Sequence, residues 1–320
     1  MKKIILLCIG LVCFLSACQS QKDKKIRVAL LTPMSHPSLE SIEAGFKETL
    51  EAKCPGKYVI TTYNAQGNKT LMHSEVEDIC RKDYALVVTL GSLASHMMQE
   101  MSSKHALDLP IVFTCVSDPV GQGIVCSEAC PGGYITGVKE TIALKEEVGV
   151  LLTLKPHVKK VLLVMHPMQP GLEEDRKTLK ALLSKRDIEL VTAEVFQTNE
   201  LLSKISPFME KVDAVIVLKD NLVVGALDAL VKLCCRHHIP LVASDLDSPD
   251  RGAAFSYGVY EKEFGVEAAY KAYQILEHHV LPGSLDITPV ANFQLKINEE
   301  AACQQGIGEE TLALYKREAS

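Results

Sequence analysis

The sequence predicts an α/β protein of two lobes, each built on a Rossmann-like parallel sheet. Three observations predict it. First, apolar phrases recur in the same order at an offset of about 130 residues. "IRVALLTP" (Ile26 to Pro33) returns as "KKVLLVMHP" (Lys159 to Pro167), and "DYALVVTLGS" (Asp83 to Ser92) returns as "VDAVIVLKDN" (Val212 to Asn221). "LPIVFTCVSDP" (Leu109 to Pro119) returns as "IPLVASDLDSP" (Ile239 to Pro249). Second, each phrase is a short run of Val, Ile and Leu without alternation, the pattern of a strand covered on both faces. Third, helical spacings fill the gaps, and strands alternating with helices give right-handed crossovers and a parallel sheet.

The elements follow in chain order. "MKKIILLCIGLVCFLSAC" joins two lysines to an apolar run too short for a membrane span, so residues 1–17 read as a secretory signal. "LSAC" resembles the bacterial lipoprotein box, which makes Cys18 the lipidated first residue and residues 18–25 a polar tether. Each buried methylene of such an anchor contributes about 0.8 kcal/mol. After Pro33, Leu39, Ile42, Phe46 and Leu50 recur at helical spacing, with Pro37 suited to a first turn. After Lys69, Leu71, Val76, Ile79 and Cys80 share a helical face. "EEDRKTLKALLSKRDI", "NLVVGALDALVKLCCRHH" and "VYEKEFGVEAAYKAYQILEHHV" are read as helices in the same way. Crossings between lobes are expected at Gly132 to Gly137, around Ser248 to Gly258, and in "LPGSLDITPV". They divide the chain into 26–137 plus about 253–281 and 138–252 plus about 282–320.

A net charge of −6 gives no basic footprint for nucleic acid. Eight cysteines follow Cys18, and an exported protein can oxidise some of them. Cys126 and Cys130, in "CSEAC", are the candidate local pair. "CCRHH" lacks the spacing of a structural zinc site, so no metal is expected. The chain has no Walker or dinucleotide loop, no "GxSxG" and no assignable nucleophile–base set. No cofactor and no catalysis are expected.

In open parallel sheets, ligands bind beyond the carboxyl ends of the strands. Ser92 follows one such strand and reads as a cap at a helix start that suits a carboxylate, with Ser95 one turn further on. Asp118 stands where a carboxylate would receive an ammonium, or where a turn would need it. Asn221 reads as cap, ligand contact or both, and Asp245 and Asp247 end the next strand. His36 and His166 each follow the first strand of a lobe.

Nearly the whole mature chain resembles the substrate-binding lipoprotein family of ABC transporters that includes proposed tryptophan- and tyrosine-uptake binding proteins. The resemblance is carried by "HPSLESIEAGFKETL", "YNAQGN", "LPIVFTCVSDPVGQGIV", "PGGYITGV", "DNLVVGALDALV", "IPLVASDLDSPDRGAAFSYGVYEKEFGVEAA" and the closing "LKIN" to "GI". It implies a type I periplasmic-binding-protein-like fold, with three crossings forming a hinge that lets the lobes close on a solute. Its pocket segments fall on Ser92 to Ser95, Asp118-Pro119, Glu140, Asn221 and Asp245. A carboxylate at the Ser92 helix start and an ammonium on Asp118 or Asp245 match an amino acid, its apolar or aromatic side chain filling the rest. The chain departs from the family at Met165-His166-Pro167, at Pro170-Gly171 and at Lys219, all on the second lobe's side. The expectation is an extracytoplasmic, membrane-anchored solute receptor that serves an ABC permease. The alternatives are an envelope sensor on the same scaffold and an α/β enzyme.

Overall fold

A computed structural model describes residues 25–169 and 171–319. The expected signal, the expected lipidation site Cys18 and most of the expected tether lie outside the described residues. Among these residues, no helix is long and apolar enough to cross a membrane.

The strands, in chain order, are β1 (Ile26–Thr32), β2 (Tyr58–Asn64), β3 (Leu86–Leu90), β4 (Ile111–Val116), β5 (Ile135–Lys139), β6 (Lys160–Met165), β7 (Glu189–Glu194), β8 (Ala214–Val217), β9 (Leu241–Ala243), β10 (Phe255–Gly258), β11 (Thr288–Pro289) and β12 (Gln294–Ile297). They form two six-stranded sheets, ordered β11-β5-β4-β3-β1-β2 and β12-β10-β9-β8-β6-β7. The repeated phrases supply β1 and β6, β3 and β8, and β4 and β9, which hold matching positions in the two sheets. Registers are in parallel, as in Val28 opposite Leu86 and Val161 opposite Ala214. Only the β10–β12 edge runs antiparallel among the described pairs.

Each central strand is buried on both faces, which explains its unbroken apolar run. Val28 and Leu30 of β1 pack into one core, while Ala29 and Leu31 pack into another on the opposite face. The second sheet divides its residues in the same way, with Val161 and Leu163 on one side and Leu162 and Val164 on the other. The covering helices of the first lobe are α1 (Pro37–Lys53), α2 (Lys69–Arg81), α3 (Gly91–Lys104) and, from the far end of the chain, α9 (Glu261–His278). Those of the second are α4 (Leu144–Leu154), α5 (Leu172–Ser184), α6 (Leu201–Ile205), α7 (Asn221–Gly225), α8 (Leu227–His237), α10 (Glu299–Gln304) and α11 (Glu309–Ala319). Helix α9 lies directly on α1, because Gly265 has no side chain there. A Cβ at that position would stand 1.9 Å from the Ile42 carbonyl oxygen.

Three sequence expectations shift. The strand Phe255–Gly258 pairs with β9, Phe255 opposite Val242, so it completes the second sheet before the chain crosses. Thr288–Pro289 pairs with β5 and belongs to the first sheet. The crossings therefore follow Lys139, Gly258 and Pro289, the last two inside the expected stretches, which moves the division between the lobes from about residues 137, 252 and 281. The helix expected over "NLVVGALDALVKLCC" breaks at Ala226. There the Arg251 guanidinium donates to the Val224 carbonyl at 2.7 Å and takes an acceptor that a continuous helix would use. All eight cysteines among the described residues are free thiols, Cys126 and Cys130 included. The Cys130 thiol instead faces the Gly283 carbonyl at 3.7 Å.

Candidate functional site

A cavity of about 420 Å³ lies between the lobes. Both sheets contribute to it by the segments after their strands: Met34 after β1, Gly91 and Ser92 after β3, Ser117 after β4 and Glu140 after β5. The second lobe adds His166 after β6, Lys219 to Asn221 after β8 and Asp245 after β9. This is where ligands sit in open α/β sheets. Met34, Leu39, Ile42, Leu93 and Val224 give the cavity an apolar wall.

The predicted residues divide into those with free polar groups and those already committed. Helix α3 begins at Gly91 with Leu90 in the cap position and no side-chain cap bond. Ser92 is therefore not a cap, and its hydroxyl, beside the helix start, has no hydrogen-bond partner among the described residues. Asp220 caps α7 by accepting from the Leu222 and Val223 N–H groups at 2.9 and 3.1 Å. The Asn221 amide is thereby left to the cavity. His36 caps α1, its Nδ1 accepting from the Ser38 N–H at 3.2 Å. That bond puts the neutral ring's proton on Nε2, which is buried and has no partner among the described residues. Burial, then the nearby Arg251 charge, lowers the His36 pKa. His166 lines the cavity with its ring edge on Phe196, centroids 6.0 Å apart. The His166 backbone N–H donates to Asp220 Oδ2 at 2.5 Å.

Asp245 borders the cavity, but both of its oxygens are used. Oδ1 accepts from the Asp247 and Ser248 N–H groups at 3.1 and 2.8 Å, and Oδ2 accepts from the Ser248 hydroxyl at 2.7 Å. Ser95 and Asp118 do not line the cavity. The Ser95 hydroxyl is buried against Thr89 Oγ1 at 2.9 Å and donates to the Gly91 carbonyl at 2.6 Å. The Asp118 carboxylate is exposed and closes a turn by accepting from the Gly121 N–H at 2.8 Å, the alternative role its Asp-Pro context offers.

At the floor of the cavity stands a charge cluster, of which sequence reasoning named Glu140 as a pocket residue and Lys219 only as a departure. The Lys219 ammonium lies 2.9 Å from Glu261 Oε1 and 3.1 Å from Glu140 Oε1, and 4.4 Å above the Phe264 ring. Burial draws the Lys219 pKa down, and the charges of Glu261 and Glu140 more than offset it, leaving the pKa above the usual lysine range. Burial raises Glu261 to about 7 against the opposing pull of Lys219. Cys115 donates its thiol proton to Glu140 at 3.1 Å. Burial, then the charge on Glu140, holds that thiol well above its ordinary range. The ligand atoms of Cys115, Glu140 and Glu261 lie within 4.8 Å of one another, but Lys219 already supplies the positive charge there. Glu261 carried no sequence signal: it opens α9, far along the chain from Glu140.

A sequence model of the ABC transporter substrate binding protein family matches residues 27–318. The chain belongs to that family. Its members are the binding proteins of transporters, which places this chain among extracytoplasmic solute-binding components rather than enzymes. A relative described as a tyrosine-binding protein, from Clostridioides difficile, is 26% identical over 284 residues, covering 88% of this chain and 80% of the relative. A conserved domain protein of Vibrio cholerae superposes with a TM-score of 0.81 at 27% identity, covering 91% of this chain and 98% of its own. A Streptococcus pneumoniae ABC domain solved in complex with L-Trp also gives 0.81, at 23% identity, with the same coverage. For this binding protein the last comparison shows the fold, two six-stranded α/β sheets of the periplasmic-binding-protein type.

Proposed function

We propose that this substrate-binding protein captures an amino acid, preferentially one with an apolar or aromatic side chain, and delivers it to an ABC permease from an anchor on Cys18. The observation that carries the reading is the interlobe cavity of about 420 Å³, which combines an apolar wall with uncommitted polar groups. That size and mixture suit a small amphipathic solute. The start of α3, with the free Ser92 hydroxyl, offers N–H groups to a carboxylate. His36, Glu140, His166 and Asn221 complete the polar rim, while Asp245 shapes it through the turn that its carboxylate holds. Met34, Leu39, Ile42 and Leu93 would face the side chain. The relative described as tyrosine-binding supports an aromatic ligand.

A thermal-shift panel of the twenty amino acids and common sugars tests this. Ligand at a hundred times its Kd stabilises by about 2.7 kcal/mol. At about 2–4 °C per kcal/mol that raises the melting point by ~5–10 °C. Shifts confined to amino acids support the reading, and shifts from sugars alone overturn it.

A further inference from the structure

The cleft does not end at the charge cluster. Behind Glu140 and Lys219 it continues into a second chamber of about 210 Å³, which shares Ser117, Glu140 and Lys219 with the main cavity. Thr141 from the crossing and Asp175 from the first turn of α5 complete its polar lining.

We propose that Asp175, with the Ser117 and Thr141 hydroxyls, forms the seat for the ligand's ammonium group. The inference deepens the amino-acid reading and rests on it. It follows from accounting for every carboxylate that lines either chamber. Glu140 and Glu261 are bound to Lys219, Asp220 is bound to backbone N–H groups, and Asp245 is bound to Ser248. Asp175 alone among them has no hydrogen-bond or ion-pair partner within the described residues. The hydroxyls of Ser117 and Thr141 are likewise unclaimed there. One carboxylate and two hydroxyl acceptors match the three N–H donors of an ammonium. Lys139, which also lines the chamber, is held by Glu128 at 2.6 Å.

An acidic residue in a first helical turn is ordinary, since it favours the helix dipole. Glu173 and Glu174 fill that role on the exposed face of α5, whereas Asp175 is turned inward. Burial, then the charges of Glu140 and Glu174, raises the Asp175 pKa to about 6, as befits a carboxyl without a cation. Gly171 fits the same picture. Its φ is +86°, and a Cβ there would stand 2.1 Å from the Ser117 hydroxyl. The absence of a side chain leaves that hydroxyl free where the lobes meet.

The test is calorimetric titration of the whole exported chain, purified in mild detergent, and of its Asp175→Asn and Ser117→Ala variants. The probes are L-tyrosine and L-tryptophan, and their deaminated analogues 3-(4-hydroxyphenyl)propanoate and indole-3-propanoate. The wild type should prefer the amino acids. Asp175→Asn should weaken them by at least about tenfold, as loss of a charge-assisted bond does, while leaving the analogues unchanged. Ser117→Ala should weaken them less, with the same selectivity. Wild-type binding of amino acids that Asp175→Asn retains in full would overturn the ammonium seat and leave the amino-acid reading standing. A wild type that binds the analogues as tightly as the amino acids would overturn the seat as well. A wild type that binds neither L-tyrosine nor L-tryptophan would overturn the aromatic amino-acid reading on which the seat rests. Circular dichroism melts of each variant separate a folding defect from a lost contact.

Discussion

Replacing Lys219 by Met tests the charge cluster that floors the cleft. Methionine keeps most of the side chain's length and its contact with Phe264, but it removes the ammonium 2.9 Å from Glu261 and 3.1 Å from Glu140. Two carboxylates, 5% and 15% exposed, then lose their counter-ion. Removing one member of a buried ion pair costs about 3–5 kcal/mol, because the other charge stays buried. At about 2–4 °C per kcal/mol, the melting point should fall by ~6–20 °C near neutral pH. The loss should depend on pH, and its sign follows from linkage. Burial already raises Glu261 from 4.5 to about 7 with Lys219 in place, and without that ammonium it rises further. The folded variant then binds protons that the unfolded chain releases, so it regains stability as pH falls. Scanning calorimetry of both proteins at about pH 8 and about pH 5.5 should show a gap that at least halves at the lower value. A gap of equal size at both pH values, or no gap at all, would refute the reasoning.

Other outcomes follow from the same geometry. Glu147, wholly buried beneath Ser244, has its pKa raised by burial from 4.5 to about 8. Folding must therefore take up a proton between those values, a penalty that grows with pH and is complete above about 8. Glu147→Gln should remove it, so the variant's stability relative to wild type should rise with pH in denaturant titrations. Asp118→Ala should leave ligand affinity unchanged in calorimetry, because that carboxylate only closes an exposed turn. Gly171→Ala combines a left-handed backbone with a Cβ 2.1 Å from Ser117. It should weaken ligand capture by at least about tenfold by propping the lobes apart, read by calorimetry and by a larger radius of gyration in solution scattering.

The central strands were legible because burial on both faces leaves no room for alternation, and "IRVALLT" and "KVLLVM" are unbroken apolar runs for that reason. Edge strands carried weaker signals. In "YVITTYN" only Tyr58 is buried, and β11 is two residues long. The Ala226 break coincides with the Arg251 bond to the Val224 carbonyl, a long-range contact that local periodicity cannot see. Reading the residues after each strand picked Ser92, Asn221, His36 and His166, which line the cavity because strand ends in a parallel sheet converge. Ser95 and Asp118, picked in the same way, lie off the cavity lining, since a hydroxyl in a helix and an Asp before Pro have local uses that compete with a ligand. Glu261 and Asp175 were hidden because each reaches the cleft from the first turn of a helix, where an acidic residue has an ordinary explanation.

The central claim is that the two lobes clasp an amino acid between their strand ends. Equilibrium dialysis of the chain, and of a Ser92→Tyr variant that fills the cavity, against a mixture of all twenty amino acids addresses it most directly, with the bound fraction read by mass spectrometry. The account predicts that the wild type retains an equimolar amount of one or a few amino acids with apolar or aromatic side chains, and that the variant retains none. Retention of nothing by the wild type, or equal retention by both proteins, would contradict it.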